Sequence, residues 1–227
     1  MEFMNNEIKK MLGDKAASFV QDGMILGLGT GTTARFFTEA VGELCRKGMK
    51  LKACATSVAT TKLAMLNKIP IISINKVNTL DLIVDGCDEF DPQKRMIKGR
   101  GGALLREKIL ANLAKEMIVI CTSEKRRTKL GEGILPVEVD PIADQLIQRQ
   151  IEALGFSSVI RAKNNISYIT DNKNHIIDIN LPKGLKNPEK LNQTLINIPG
   201  ILETGFFFNL ASKILIGNED KTIDVIE

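Results

Sequence analysis

The segment MILGLGTGTTARFF, residues 24–37, limits what this chain can fold into more than any other. The apolar run from Met24 to Leu28 reads as a short strand entering a turn with glycines at 27, 29 and 31. Phe37, Ala40, Val41 and Leu44 then recur at helical spacing. Strand, glycine turn and helix together open a βαβ unit, and the chain repeats the rhythm. Leu51–Thr56 predicts a strand, Ala59, Leu63 and Leu66 a helix, and Ile69–Ile74 and Leu80–Val84 two more strands. Leu105, Ile109 and Leu113 mark a helix, and Met117–Cys121 a buried strand. Ahead of all this, Ile8, Met11, Leu12, Phe19 and Val20 predict a helix from Asn5 to Asp22. Strands alternating with helices over short connections imply α/β architecture: a Rossmann-like, mostly parallel sheet with helices on both faces.

The rhythm changes after Cys121. A polar basic stretch, SEKRRTKLGEG, reads as a solvated connector apart from Lys125. Beyond it come a strand at PVEV, a helix carrying Ile142, Leu146, Ile147, Ile151 and Leu154, and strands at Ile166–Thr170 and Ile176–Leu181. Between those two strands, DNKN carries a hairpin-turn signal. A helix with Leu191, Leu195 and Ile198 follows, then apolar runs at Gly205–Leu210 and Lys213–Ile216 that can rejoin the first sheet. The expected division is therefore a catalytic domain of residues 1–128 with 204–227, and a smaller α+β domain of residues 129–203.

Several classes of function are excluded by composition. Lys plus Arg at 31 against Asp plus Glu at 27 leaves +4, spread along the chain and not gathered into a basic stripe, which favours small anions and argues only weakly for nucleic acid; no nucleic-acid partner is expected. Cys45, Cys54, Cys87 and Cys121 form no paired motif, so neither zinc nor a disulfide framework is expected, and reduced thiols point to the cytoplasm. No apolar run approaches the ~18 residues of a membrane span, and no signal-peptide core is visible. With His175 the single histidine, proton transfer must rest on carboxylates and lysines.

The glycine turn can aim backbone amides and a helix dipole at an anion, and Thr30, Thr32 and Thr33 add hydroxyl donors without charge. A dinucleotide fits poorly. The fingerprint glycine is replaced by Thr32, and the next strand ends in Thr56-Ser57 with no acid for a ribose hydroxyl. A phosphate fits, and no cofactor or metal is expected. The second cluster, IVDGCDEFDPQKRMIKGRGGALLREK from Ile83 to Lys108, brings Asp85 and Asp88 to a strand end. Lys98 leads a glycine loop, and Glu107 stands at a helix start. Each of these residues has an ordinary reading as turn or helix-start chemistry. Together they provide a base, an acid and oxyanion support for abstracting a proton beside a carbonyl.

GLGTGTTA, DGCDE with KGRGGALLREKI, PVEV, TDNKNHIIDI and INIPGILETGFF, in this order and spacing, resemble type A ribose-5-phosphate isomerases. The resemblance runs from the first helix to the end of the chain. It implies metal-independent interconversion of D-ribose 5-phosphate and D-ribulose 5-phosphate through an enediol, in a dimer or tetramer. It also implies Glu107 as the base, Asp85 as the carboxylate of ring opening, and Lys98 with the amides of Gly99 and Gly101 as oxyanion support. Asp88 becomes a substrate-hydroxyl partner, and Thr30, Thr32, Thr33, Lys9 and Lys125 the phosphate grip.

Three positions depart from the family pattern. Thr122 stands where an aspartate is usual, Arg100 sits in a loop that is often all glycine, and Cys87, expected to be a buried bystander, replaces alanine. His175 is expected to be an exposed turn residue, and Phe206–Phe208 core or subunit interface. A non-catalytic sugar-phosphate sensor on the same fold is the rival reading, but no output module is attached. An amino-sugar phosphate deaminase or CoA transferase would want other site chemistry.

Overall fold

The computed structural model describes residues 2–227, with side chains from residue 5 onward. In chain order the elements are α1 (Glu2–Ala17), β1 (Ile25–Leu28), α2 (Ala34–Arg46), β2 (Lys52–Ala55), α3 (Val58–Leu66), β3 (Leu80–Asp85), β4 (Glu89–Phe90) and β5 (Met96–Ile97). Then come α4 (Leu104–Leu113), β6 (Ala114–Thr122), β7 (Ile134–Val139), α5 (Asp144–Ala153), β8 (Ser158–Ile160), β9 (Ala162–Lys163) and β10 (Ile166–Ser167). The last are β11 (His175–Asn180), α6 (Pro188–Ile196), β12 (Ile201–Thr204), β13 (Phe206–Phe207), β14 (Lys213–Gly217) and β15 (Ile223–Ile226). No described helix is long and apolar enough to cross a membrane. The described residues form two compact units, one of residues up to 87 with 106–126 and 209–227, the other of residues 88–105 with 127–208.

The first unit carries a six-stranded sheet in the order β15-β14-β6-β3-β1-β2, parallel except for β15. Strand alternation sorts its side chains. Leu26, Leu28, Leu82, Val84, Ile118, Ile120 and Leu215 pack with Leu12, Ala16, Phe37 and Val41 of α1 and α2 in one cluster. Ile83, Val119, Ile214 and Ile216 point the other way and are buried too, so the sheet is apolar on both faces as parallel sheets are. Each such fully buried aliphatic side chain contributes about 1.5–3 kcal/mol of transfer free energy. β15, which was not expected from the sequence, closes the edge antiparallel to β14.

In the second unit a four-stranded antiparallel sheet, β12-β7-β11-β8, lies against α5 and α6 through Val137, Val139, Ile147, Ile151, Ile177, Leu191 and Leu195. A three-stranded sheet, β13-β5-β4, and the ribbon β9-β10 complete it.

The structure differs from the sequence expectations at five places. The first helix stops at Ala17, where i to i−3 bonds from Phe19 and Val20 tighten the chain toward Gly23. Ile69–Ile74 is no strand: Pro70 cannot donate to a ladder, and only Ile71 bridges to Ala53 before a 3₁₀ turn at Ile74–Lys76. DNKN forms a tight turn, with the Thr170 amide donating to the Asn174 carbonyl at 2.9 Å, but its flanking strands do not pair. Both edges of β11 are already taken, by β7 and β8. Of the tail segments, β14 enters the parallel sheet, whereas β13 pairs with β5. Because β4 and β5 pair with each other and with β13, and not with the parallel strands, residues 88–105 pack in the second unit and not in the first.

Candidate active site

In the first unit the candidate residues gather where β1 and β3 end. β1 runs into Gly29 and Thr30, and the Gly29 amide donates to the Val84 carbonyl at 3.0 Å, which brings the turn beside the end of β3. Asp85, the last residue of β3, is fully buried. Its Oδ1 accepts the amides of Thr30 (3.1 Å) and Gly86 (2.7 Å). Two backbone N–H donors on one oxygen fix where this buried carboxylate sits.

Thr30 turns its hydroxyl inward, to Thr56 (2.6 Å), Ser57 (2.9 Å) and Thr60 (3.1 Å). Ser57 caps α3 by accepting the Thr60 amide at 3.0 Å, and the Thr60 hydroxyl returns to the Gly29 carbonyl at 3.0 Å. These three residues shape the turn and were missed by sequence reasoning. The Ser57 cap signal was visible in the sequence, but nothing there tied it to Thr30. Thr32 receives the Lys9 ammonium at 3.2 Å, and Thr33 stands at the N-cap of α2 without a side-chain capping bond.

Lys125 ends the 3₁₀ turn Ser123–Lys125 that follows β6, and its Nζ lies 3.3 Å from Glu124. Glu124 also accepts the Thr122 hydroxyl at 3.3 Å. Partial burial pushes the Glu124 carboxyl upward, but the Lys125 bond and charge, the Thr122 hydroxyl and Lys9 outweigh it and hold its pKa below the usual range. Where the family pattern has an aspartate, the chain thus keeps a carboxylate two residues later, among the lysines. Glu107 occupies the first turn of α4 and is 3% exposed.

The second unit holds the rest. Lys98, directly after β5, is 2% exposed, donates its amide to the Gly205 carbonyl at 2.9 Å, and places its Nζ 5.4 Å from the centroid of the Phe207 ring. Asp88 anchors the glycine loop by accepting the Arg100 amide at 3.0 Å. Arg100 directs its side chain to this acidic side: Nε is 4.0 Å from Asp88 Oδ1, and Nη2 reaches the spot beside Gly133 that Glu89 Oε1 also borders. Gly102 has φ +77°, and the Tyr168 ring fills the space its Cβ would need, so only glycine fits there.

Two expected bystanders differ from their sequence reading. Cys87 is half-buried, and its free thiol is hydrogen-bonded to that of Cys121; that hydrogen bond, then burial, pushes the Cys121 thiol well up. The physical cause is register: β3 and β6 pair in parallel up to Asp85 and Val119, and two further residues on each strand bring the cysteines side by side. His175 is not an exposed turn residue, because β11 begins there and its Nδ1 sits 2.8 Å from Asp144. Phe206 and Phe207 are buried, with Phe206 and Phe208 stacked at 5.3 Å.

A glycine turn at the carboxyl ends of parallel strands, with a buried carboxylate at the end of β3 and another at a helix start, is the arrangement of α/β enzymes that act on small molecules at the strand ends. A family model described as ribose 5-phosphate isomerase A (phosphoriboisomerase A) matches residues 52–221. The chain is 42% identical over 219 residues to ribose-5-phosphate isomerase A of Protochlamydia amoebophila (strain UWE25), covering 96% of this chain and 94% of that one. It is 40% identical to that of Bacillus mycoides (strain KBAB4), covering 94% and 96%. Among solved structures, ribose 5-phosphate isomerase A from Methanocaldococcus jannaschii superposes with a TM-score of 0.92 at 32% identity, covering 98% and 99%. A D-ribose-5-phosphate isomerase in complex with phospho-erythronic acid superposes at 0.93, with 34% identity, covering 97% and 98%. The chain belongs to the ribose 5-phosphate isomerase A family.

Proposed function

We propose that this chain interconverts D-ribose 5-phosphate and D-ribulose 5-phosphate, in the pentose phosphate pathway, through an enediolate held by the residues described above. Glu107 takes the proton from C2 of the open-chain aldose and returns it to C1. It is buried in the first turn of α4, which keeps the proton acceptor out of bulk water. Asp85 handles the proton exchange of ring opening, its position fixed by two backbone amides. Lys98 and the amides of Gly99 and Gly101 carry the charge that develops on the carbonyl oxygen, and Asp88 holds a substrate hydroxyl. The phosphate is gripped by Thr32, Thr33, Lys9 and Lys125, with Thr30 contributing through the shape it gives the turn.

The single observation that carries this reading is the burial of Asp85 and Glu107 at the ends of β3 and α4 in a chain of this family. Purified protein incubated with ribose 5-phosphate and a chelator should form ketose. Absence of turnover would favour the sensor reading instead. Glu107→Gln should abolish catalysis while inorganic phosphate still competes for the anion site, because only the proton acceptor is lost. We further infer a cytoplasmic homo-oligomer, dimer or tetramer. The free cysteines fit a reducing compartment, and exposed Ile142 and Leu146 fit a subunit contact.

A further inference from the structure

We propose that Arg161 is a positioning residue for the reaction: it holds the carbonyl side of the Gly99–Gly101 loop, and thereby aims the Gly101 amide at the developing oxyanion. The inference rests on the reading of Lys98 and its loop as the oxyanion support. Arg161 follows β8 and forms a bidentate pair with Asp178 of β11, Nε to Oδ2 at 2.8 Å and Nη2 to Oδ1 at 2.5 Å. The pair is largely buried, with side chains 15% and 12% exposed. That fixes the plane of the guanidinium, a geometry lysine could not reproduce. The remaining nitrogen, Nη1, donates to two successive backbone carbonyls, Gly99 at 3.2 Å and Arg100 at 3.1 Å. Tyr168, whose ring centroid lies 5.7 Å from the guanidinium carbon, adds its hydroxyl to the third, Gly101, at 3.4 Å.

The consequence follows from peptide planarity. No described peptide bond is cis, so each carbonyl points opposite to the N–H that shares its plane. With the Gly99 carbonyl on Arg161, the Arg100 N–H faces the other way, and it is found there on Asp88 Oδ2 at 3.0 Å. With the Arg100 carbonyl on Arg161, the Gly101 N–H is turned the same way, on the exposed side of the loop. Three of the four loop residues are glycines, and beyond the bonds from the Arg100 amide to Asp88 and from the Gly102 amide to the Gly99 carbonyl (3.0 Å) their conformational freedom would blur the direction of the Gly101 donor. A donor helps a transition state only when it is preorganised toward the oxygen that gains charge. The Asp178–Arg161 fork, itself held on the four-stranded sheet, supplies that preorganisation without touching substrate.

Removing Arg161 outright would leave Asp178 buried and unpaired, so the test uses Arg161→Lys, Tyr168→Phe and the double variant Arg161→Gln/Asp178→Asn. For Arg161→Lys, kcat should fall by ~100-fold, the scale of a small misplacement at a reacting centre. The KM for ribose 5-phosphate should stay within about threefold, since uniform binding of the phosphate is untouched. Inhibition by phospho-erythronic acid should weaken in step with kcat, while inhibition by inorganic phosphate stays unchanged. Tyr168→Phe should show the same pattern at smaller amplitude, and the double variant should retain the fold and the loss of kcat. Wild-type kcat in folded Arg161→Lys protein would overturn the proposal. So would equal weakening of both inhibitors together with a lowered Tm, the mark of a merely structural residue. Lys98→Met separates this failure from that of the site reading. If it leaves turnover and inhibition intact, the oxyanion assignment itself is wrong; if it alone lowers them, Arg161 has no positioning role.

Discussion

Asp85 stands where a side chain on Gly29 would have to go: its carboxyl group occupies the position of a Cβ built on that glycine, and its Oδ1 accepts the next amide, from Thr30, at 3.1 Å. The two residues come from adjacent parallel strands. Gly29 is therefore required by close approach and not by its backbone angles, and the buried carboxylate is held by the turn that approaches it.

Gly29→Ala should destabilise the fold by about 1–3 kcal/mol, because the added methyl also meets the Asp85 Cα at 2.6 Å and no rotamer relieves a backbone clash. Turnover should fall with it as Asp85 is displaced. Asp85→Asn should behave differently: its amide oxygen still accepts both N–H groups, so the urea midpoint stays near wild type while kcat drops. Denaturant curves read beside turnover distinguish the two; a Gly29→Ala protein with native stability and rate would contradict the packing argument.

Glu124 sets the charge felt at Lys9 and Lys125. It is 62% exposed, so screening keeps the effect small. Glu124→Gln should lower the KM for ribose 5-phosphate by about twofold at low salt, with the difference fading as salt rises. A raised KM would show instead that Glu124 positions the lysines.

Asp81 gives a stability effect with a definite sign. The Ile25 amide at 2.9 Å, and then the Lys115 ammonium at 2.7 Å, hold its pKa below the ordinary value. A depressed carboxylate contributes stability above its unfolded pKa of about 3.9, and loses it as pH falls through the folded value. Wild type should therefore exceed Asp81→Asn in stability at pH 6, and the gap should close as pH falls through the depressed folded value. A gap independent of pH would mean that charge plays no part.

The cysteines divide by burial. Cys54 and Cys121 are buried and their thiols are pushed up, by burial in Cys54 and by the Cys87 bond and burial in Cys121. Both should resist a thiol reagent at pH 8 until the protein unfolds, whereas Cys87 should react in the native state. Cys87→Ser keeps a hydrogen-bonding group beside Cys121 and should leave kcat within about twofold of wild type. Fast native-state labelling of all four thiols would contradict this ordering.

The parallel sheet was legible because Leu26, Leu82 and Ile118 sit in apolar runs bounded by glycine or helix-start signals, which are local in sequence. Glu107 was legible for a similar reason: it lies in the first helical turn after a glycine loop. Pairing was not. Nothing local says that β13 joins β5 while β14, a few residues on, joins β6, since both are short apolar runs. The Cys87–Cys121 contact was equally hidden, because it depends on the register of two strands far apart in the chain.

The sequence by itself determined the periodicities, the glycine turn, and the family motifs that carry Asp85, Asp88, Lys98 and Glu107, each a matter of neighbours along the chain. Only the tertiary structure decided where side chains meet across distant segments. Strand register set the Thr30 amide on Asp85, and the fold of the second unit brought Arg161 and Tyr168, some sixty residues downstream, onto the carbonyls of the glycine loop. Backbone hydrogen bonds carry no residue identity, so which strand edges pair is chosen by the whole packed core and not by any one segment.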